Sequence, residues 1–336
     1  LPFIFSLFIA LTTSAQQMSL PQQQDRWSIE PDGSIQWDID GRLPHRDHIE
    51  MSGQKIALWM QYGVDSNAKP SFVRTMVFPT FRMLPVRTIA SMMYNVNDDE
   101  LPRILINDKL LKAGVYNASV SNDQPERTIS IRHKGIMEVY SEIGKDGALK
   151  LKRSFFPSID KPMAIEKMVF TNAGKQPLKI EMEFMYREVK PAPQRNSGGQ
   201  HSFIVSTVND GLKTVAPGDS VMFAITYQAI NKPQDLIAAN VNAEEQARKN
   251  RVAQIQSLLV LETPDTILNT MFAFAKIRGT ESIYNTKGGL MHGPGGLRYY
   301  AAIWANDQAE YINPFFAFLG DDIGNRSAMN SYRMFA

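Results

Sequence analysis

Residues 221–227 read VMFAITY, with Val221, Phe223, Ile225 and Tyr227 on alternate positions. Residues 243–250 read AEEQARKN, a charged run of helix formers with no alternation. The first stretch has the period of a strand with one buried face, the second that of a solvated helix. The chain changes class between them, near Asn242. Upstream the same alternation recurs at Ile35, Trp37 and Ile39, at Ile129 and Ile131, at Met137 and Val139, at Leu149 and Leu151, and at Ile180, Met182, Phe184 and Tyr186. Turn signals separate these runs: Lys145-Asp146-Gly147, Asn172-Ala173-Gly174, Asn209-Asp210-Gly211 and Pro217-Gly218. Many strands at short spacing predict antiparallel sheets packed face to face, a β-sandwich over residues 27–240.

Downstream, residues 241–262 read as a linker helix. Thr263, Pro264 and Asp265 carry a helix-start signal, with Thr263 as the cap. Ile267, Leu268, Met271, Phe272, Ala275 and Arg278 then follow helical spacing, with the apolar members on one face. Gly288-Gly289 is expected to end that helix. A glycine-rich loop, GGLMHGPGGLRYY at 288–300, leads into AIWANDQAEYINPFFAFLGDD at 302–322 and a further helical segment from Asn325. The expected helical part, 263–336, stops in mid-pattern at Ala336.

The length of 336 residues suits two domains, and 43% hydrophobic residues can build real cores. Lysine and arginine number 36 against 34 acidic residues, a net charge of +2 that gives no electrostatic reason to expect a nucleic-acid partner. The chain has no cysteine, which excludes disulfides, Cys-ligated zinc, thiol nucleophiles and iron–sulfur clusters. At the N-terminus, an apolar run over residues 1–11 followed by Thr13-Ser14-Ala15 reads as a secretory signal cut after Ala15, lacking its initiator Met and basic region. A Gln-rich tail, 16–26, follows. Without a cysteine near the cut a lipid anchor is excluded. The expectation is an exported bacterial protein, periplasmic or extracellular, with no membrane anchor. Asn117 and Asn325 sit in glycosylation sequons, a weak pattern.

Side chains suited to binding a ligand concentrate late in the chain: His292, Arg298, Tyr299, Tyr300, Trp304, Asn306, Asp307, Gln308 and Glu310. Aromatic faces stack on the apolar faces of sugar rings, and carboxylates and amides bond their hydroxyls. A glycine-rich loop beside them lets the backbone come close to a ligand. Taken singly, each residue suits a core or a cap, Asp307 above all as a helix N-cap. The concentration favours a site. Elsewhere, His45-Arg46-Asp47-His48 reads as a solvated turn, since no third metal ligand is in view. His201 and Ser202 lack a nucleophile elbow, and Glu281 and Ser282 read as a helix–helix contact or a solvated face.

The order β-sandwich, linker helix, first helix and then Tyr300 with Trp304-Ala305-Asn306-Asp307 resembles the glucoamylase-like glycoside hydrolases. These six-hairpin enzymes join an N-terminal β super-sandwich to an (α/α)6 toroid. Their matching motif is Trp-x-Arg-Asp, whose Arg-Asp pair holds the sugar at the cleavage point; this chain has Asn306 in place of the arginine. The resemblance implies that Asp307 binds sugar hydroxyls and that Trp304 shapes the pocket, with Asn306, Glu310, Tyr300, Arg298 and His292 around them. It implies a carbohydrate substrate, no cofactor and no metal. An inverting two-carboxylate mechanism would follow, with acid and base about 6.5–9.5 Å apart and beyond Ala336. Pro314 departs from an unbroken second helix and should kink or split it. Phe272, Phe315, Phe316 and Phe318 are expected to be partly open. Other readings are a non-catalytic carbohydrate-binding or surface-assembly sandwich, a glycoside phosphorylase and, with chain order against it, a polysaccharide lyase.

Overall fold

The computed structural model describes residues 26–39, 44–82, 91–96, 100–111, 125–144, 146–191, 201–293 and 303–336. The alternating segments pair as antiparallel strands. One sheet runs, in spatial order, β1 (Ser28–Ile29), β2 (Ile35–Asp38), β9 (Glu126–His133), β10 (Met137–Ile143), β11 (Leu149–Pro157), β12 (Met163–Asn172), β17 (Ser220–Ile230), β15 (Ser202–Val208) and β14 (Tyr186–Val189). A second holds β3 (His45–Ser52), β4 (Ala57–Val64), β5 (Pro70–Arg82) and β6 (Ser91–Val96). A third, smaller sheet holds β16 (Gly211–Val215), β13 (Leu178–Met182), β7 (Ile104–Ile106) and β8 (Lys109–Leu110). The turn before β17 needs a left-handed residue, and Gly218 supplies it at φ +84°.

The large and second sheets pack face to face, because the alternate apolar residues of each have no other place to leave water. Phe72 on β5 meets Phe155 on β11 at 5.2 Å between ring centroids, and Phe78 meets Phe203 at 6.1 Å. Trp37, Ile131, Met137, Val139, Leu151 and Phe223 are sealed in the same core. Inside this core lies a charged group. Arg74 donates from Nε and Nη2 to Glu166 at 2.6 and 3.0 Å, and the Tyr227 hydroxyl donates to Glu166 at 2.8 Å. Arg153 pairs with Glu126 and lies 3.9 Å from Glu166. Two guanidinium and two carboxylate groups thus satisfy one another where neither sign could stand alone. Burial pushes the Glu166 carboxyl up, but the charge and hydrogen bonds of Arg74, with Arg153 and Tyr227, outweigh it and hold the group below the usual carboxylate range.

Two strand readings change. His45, Arg46, Asp47 and His48 are not a turn; they open β3, paired with β4 from His45↔Val64 onward. Their charges hid the strand because its outer part faces solvent. Phe184 lies past the end of β13 and is 74% exposed, so the alternation at Ile180 and Met182 does not continue through it.

After β17 come α1 (Val241–Ser257) and α2 (Thr266–Glu281). Asn240 caps α1, accepting from the Ala243 amide. The charges of α1 are seated rather than solvated. Glu244 accepts from Ser158 at 2.7 Å and Glu245 from Lys167 at 2.6 Å, both on the sandwich. Arg248, sealed from solvent, donates to the carbonyls of Gly135 at 2.9 Å and Ser52 at 2.8 Å and also pairs with Glu281 of α2. Asp265, not Thr263, caps α2, accepting from the Ile267 and Leu268 amides. The helix ends at Glu281, short of the glycines, because β18 (Ile283–Thr286) and β19 (Gly289–His292) form a hairpin across them. Ile267, Leu268 and Met271, the expected apolar face of α2, are exposed. No helix among the described residues is long and apolar enough to cross a membrane.

Candidate functional site

The segment carrying Trp304 to Glu310 is helical from Ala305. The Trp304 carbonyl already accepts from the Gln308 amide at 3.1 Å, and Asn306 has α-helical angles. Asp307 therefore lies inside the helix and is not its N-cap. From Asp307 to Ile312 the turn is π-helical: the Asn313 amide bonds to the Gln308 carbonyl, five residues back, before α3 (Asn313–Leu319) resumes the normal pitch. Pro314 accounts for the change. Its ring would crowd the Glu310 carbonyl in a regular helix, and it has no amide to offer. The wider turn removes the clash, so the helix is neither split nor ended.

Trp304 is 51% exposed and Tyr311 67% exposed. Asn306 and Glu310 are exposed and Asp307 is half-buried. Among the described residues, the side chains of Asp307 and Glu310 have no hydrogen-bond or ion-pair partner. Two carboxylates, an amide and an indole thus lie within seven consecutive residues, 304–310.

Gln308 faces the other way. It is 1% exposed, and its amide nitrogen donates to the His292 carbonyl at 2.9 Å, tying the turn to β19. The His292 ring is buried, edge-on to Phe316 at 5.9 Å. Burial pushes its pKa down to about 4, so the imidazole is neutral near pH 7. Below, Ile283, Phe316, Leu319 and Ala328 form a small core under α3 and α4 (Asp322–Phe335). Asp321 caps α4 through the Gly324 amide and accepts a two-pronged bond from Arg251 of α1 at 2.7 and 2.8 Å. Phe316 is fully sealed, contrary to expectation, whereas Phe318 is 78% exposed.

Trp304, Asn306, Asp307 and Glu310 thus lie along one short segment, 304–310, and His292 is tied to it through Gln308. Arg298 and Tyr300 lie outside the described residues. Sequence reasoning passed over the anchoring part of Gln308, since nothing in its spacing separates a glutamine facing inward from one facing out. Among the described residues, no group of three or more potential ligands could hold a metal ion.

No family model matches the sequence, and no curated protein matches it. Solved structures do. A protein from the human microbiome, assigned as a kojibiose phosphorylase, superposes with a TM-score of 0.54 at 10% identity, over 92% of this chain and 49% of its own. The shared feature is the fold. The chain spans about half the length of that neighbour. A bacterial glucoamylase, solved with acarbose, matches at a TM-score of 0.32 and 9% identity, over 88% of this chain and 52% of its own.

Proposed function

We propose that the protein is an exported carbohydrate-active enzyme of six-hairpin architecture that cleaves glycosidic bonds by hydrolysis. In this reading Asp307 and Trp304 form the sugar subsite at the cleavage point, with Asn306 and Glu310 beside them. One observation carries it: half-buried Asp307 has no hydrogen-bond or ion-pair partner among the described residues, in a fold shared with a protein assigned as a kojibiose phosphorylase. A carboxylate that caps nothing and pairs with nothing is free to accept hydrogen bonds from sugar hydroxyls. Such charge-assisted bonds are stronger than neutral ones. The Trp304 indole supplies an apolar face for the ring. The acid and base of the reaction are proposed to lie beyond residue 336, on later helices.

Phosphorolysis is the second reading, favoured by the same neighbour. The chemistries differ in the group that attacks the anomeric carbon, water or phosphate. Intact protein should therefore be incubated with kojibiose and a panel of oligosaccharides, with and without inorganic phosphate. Release of free sugar independent of phosphate supports hydrolysis. A sugar 1-phosphate formed only with phosphate supports phosphorolysis. Binding without turnover on any substrate would return the protein to the non-catalytic alternative.

A further inference from the structure

A groove of about 370 Å³ lies away from the Trp304 turn, between the outer face of the large sheet and the second half of α1. That volume falls in the range of small-molecule sites, and the seam between two structural units is a common place for one. Ile136, Val252 and Ala253 give it apolar lining. On the sheet side, Tyr140 pairs across the strands with Lys152, whose ammonium lies 5.4 Å from the ring centre. The Tyr140 hydroxyl donates to Glu138 at 2.8 Å, and Lys152 pairs with Glu138 at 2.6 Å. At the other end Arg132 and Lys134 share Asp32. Lys249 and Gln256 reach in from α1. The lining therefore holds four cations, Arg132, Lys134, Lys152 and Lys249, against two carboxylates, Asp32 and Glu138.

We propose that this groove is a second saccharide site, selective for an acidic oligosaccharide. Donors and acceptors stand side by side with a tyrosine and an apolar floor, a mixture suited to a ring with hydroxyls on its rim and C–H groups on its faces. A site for a bare anion would have no use for the carboxylates or the floor. The excess of two positive charges selects a sugar that bears a carboxylate. The ion pairs hold Arg132 and Lys152 in place before the ligand arrives, which lowers the entropy cost of binding. The site goes beyond the proposed cleavage reaction and does not depend on it.

The test is calorimetric titration of intact protein with trigalacturonate, with maltotriose and sodium sulfate as comparators. Trigalacturonate should bind saturably, weaken with added salt, and bind at least about tenfold tighter than maltotriose. Lys152→Gln and Lys249→Gln should each weaken it several-fold. Lys249 is a surface residue whose loss leaves Glu245 paired with Lys167, so at least one variant keeps its fold. Asp307→Asn should leave this binding unchanged. Equal affinity for maltotriose, or for sulfate alone, overturns the assignment. So does loss of binding in Asp307→Asn but not in the groove variants, or no binding at millimolar concentration.

Discussion

The sandwich and the helical part bury different mixtures of surface. In the sandwich, apolar side chains point inward from both sheets, and the charges within are closed on one another through Arg74, Glu166, Arg153 and Glu126. In the helices, polar groups share the buried side with small apolar clusters. Lys276 is 1% exposed and its ammonium holds the carbonyls of Gln256 and Leu258 at the end of α1. Arg248, Glu281 and Asp321 are likewise buried, while Ile267, Met271, Phe318 and Met334 stand in solvent. The sandwich closes its core charges on one another. The helices are fastened to it by hydrogen bonds and ion pairs around small apolar clusters, and they leave Ile267, Met271, Phe318 and Met334 exposed.

Acid should act on both regions and produce the largest change. Burial depresses the pKa of His133, in the sandwich, to about 3 and that of His292, in the helical part, to about 4. Both titrate near 6.5 when unfolded. Between those values the unfolded chain binds more protons, so stability is full above pH 6.5 and falls as pH drops toward 3. Glu166, held below its usual range, adds to the loss below about 4.5. Denaturation curves from pH 8 to 3 check this; a flat profile across pH 6.5–4 would break the account of both histidines. Glu166→Ala comes next. It leaves Arg74 facing Arg153 in a dry core and should destabilise the sandwich by about 3–5 kcal/mol in chemical denaturation.

Asp307→Asn should reduce kcat/KM by about 2–4 kcal/mol of transition-state stabilisation, with Tm unchanged because the residue caps nothing. Normal activity would remove the sugar subsite from this turn. Asp321→Ala deletes both a cap and the partner of Arg251, a loss of about 2 kcal/mol. Hydrogen exchange should show it in α4 with the sandwich amides still protected; equal loss in both regions would mean that they open as one unit. Met271→Gln should change stability by no more than about 0.5 kcal/mol and raise solubility.

The sandwich was legible because a two-residue period leaves a trace wherever one face is buried, as at Val221 to Tyr227. It failed at β3, whose first four residues, His45, Arg46, Asp47 and His48, are all ionisable, and at Phe184, where a period ran past its strand. The helices were legible in kind but not in packing. Periodicity marked the face of Ile267, Leu268 and Met271 for burial, yet tertiary bonds to Arg248 and Lys276 decided which face turned inward. At 304–310, residue types were enough to propose a site. They could not show that Asp307 is internal to the helix, because that depends on Ala305 and Asn306 already being wound.

The π turn at Asp307–Ile312 holds one residue more than the ordinary pitch would. A residue is worth about 100° of rotation in an α-helix. The turn therefore acts as a phase shifter between the solvent-facing display of Trp304 and Asn306 and the buried seat of Phe316 and Leu319. Deleting a single residue there, with Pro314 also replaced so that the ordinary pitch is sterically allowed, would swing the display away from its present direction, even with the other side chains of both faces retained. The direction in which this surface looks is encoded by a count of residues as much as by their identity.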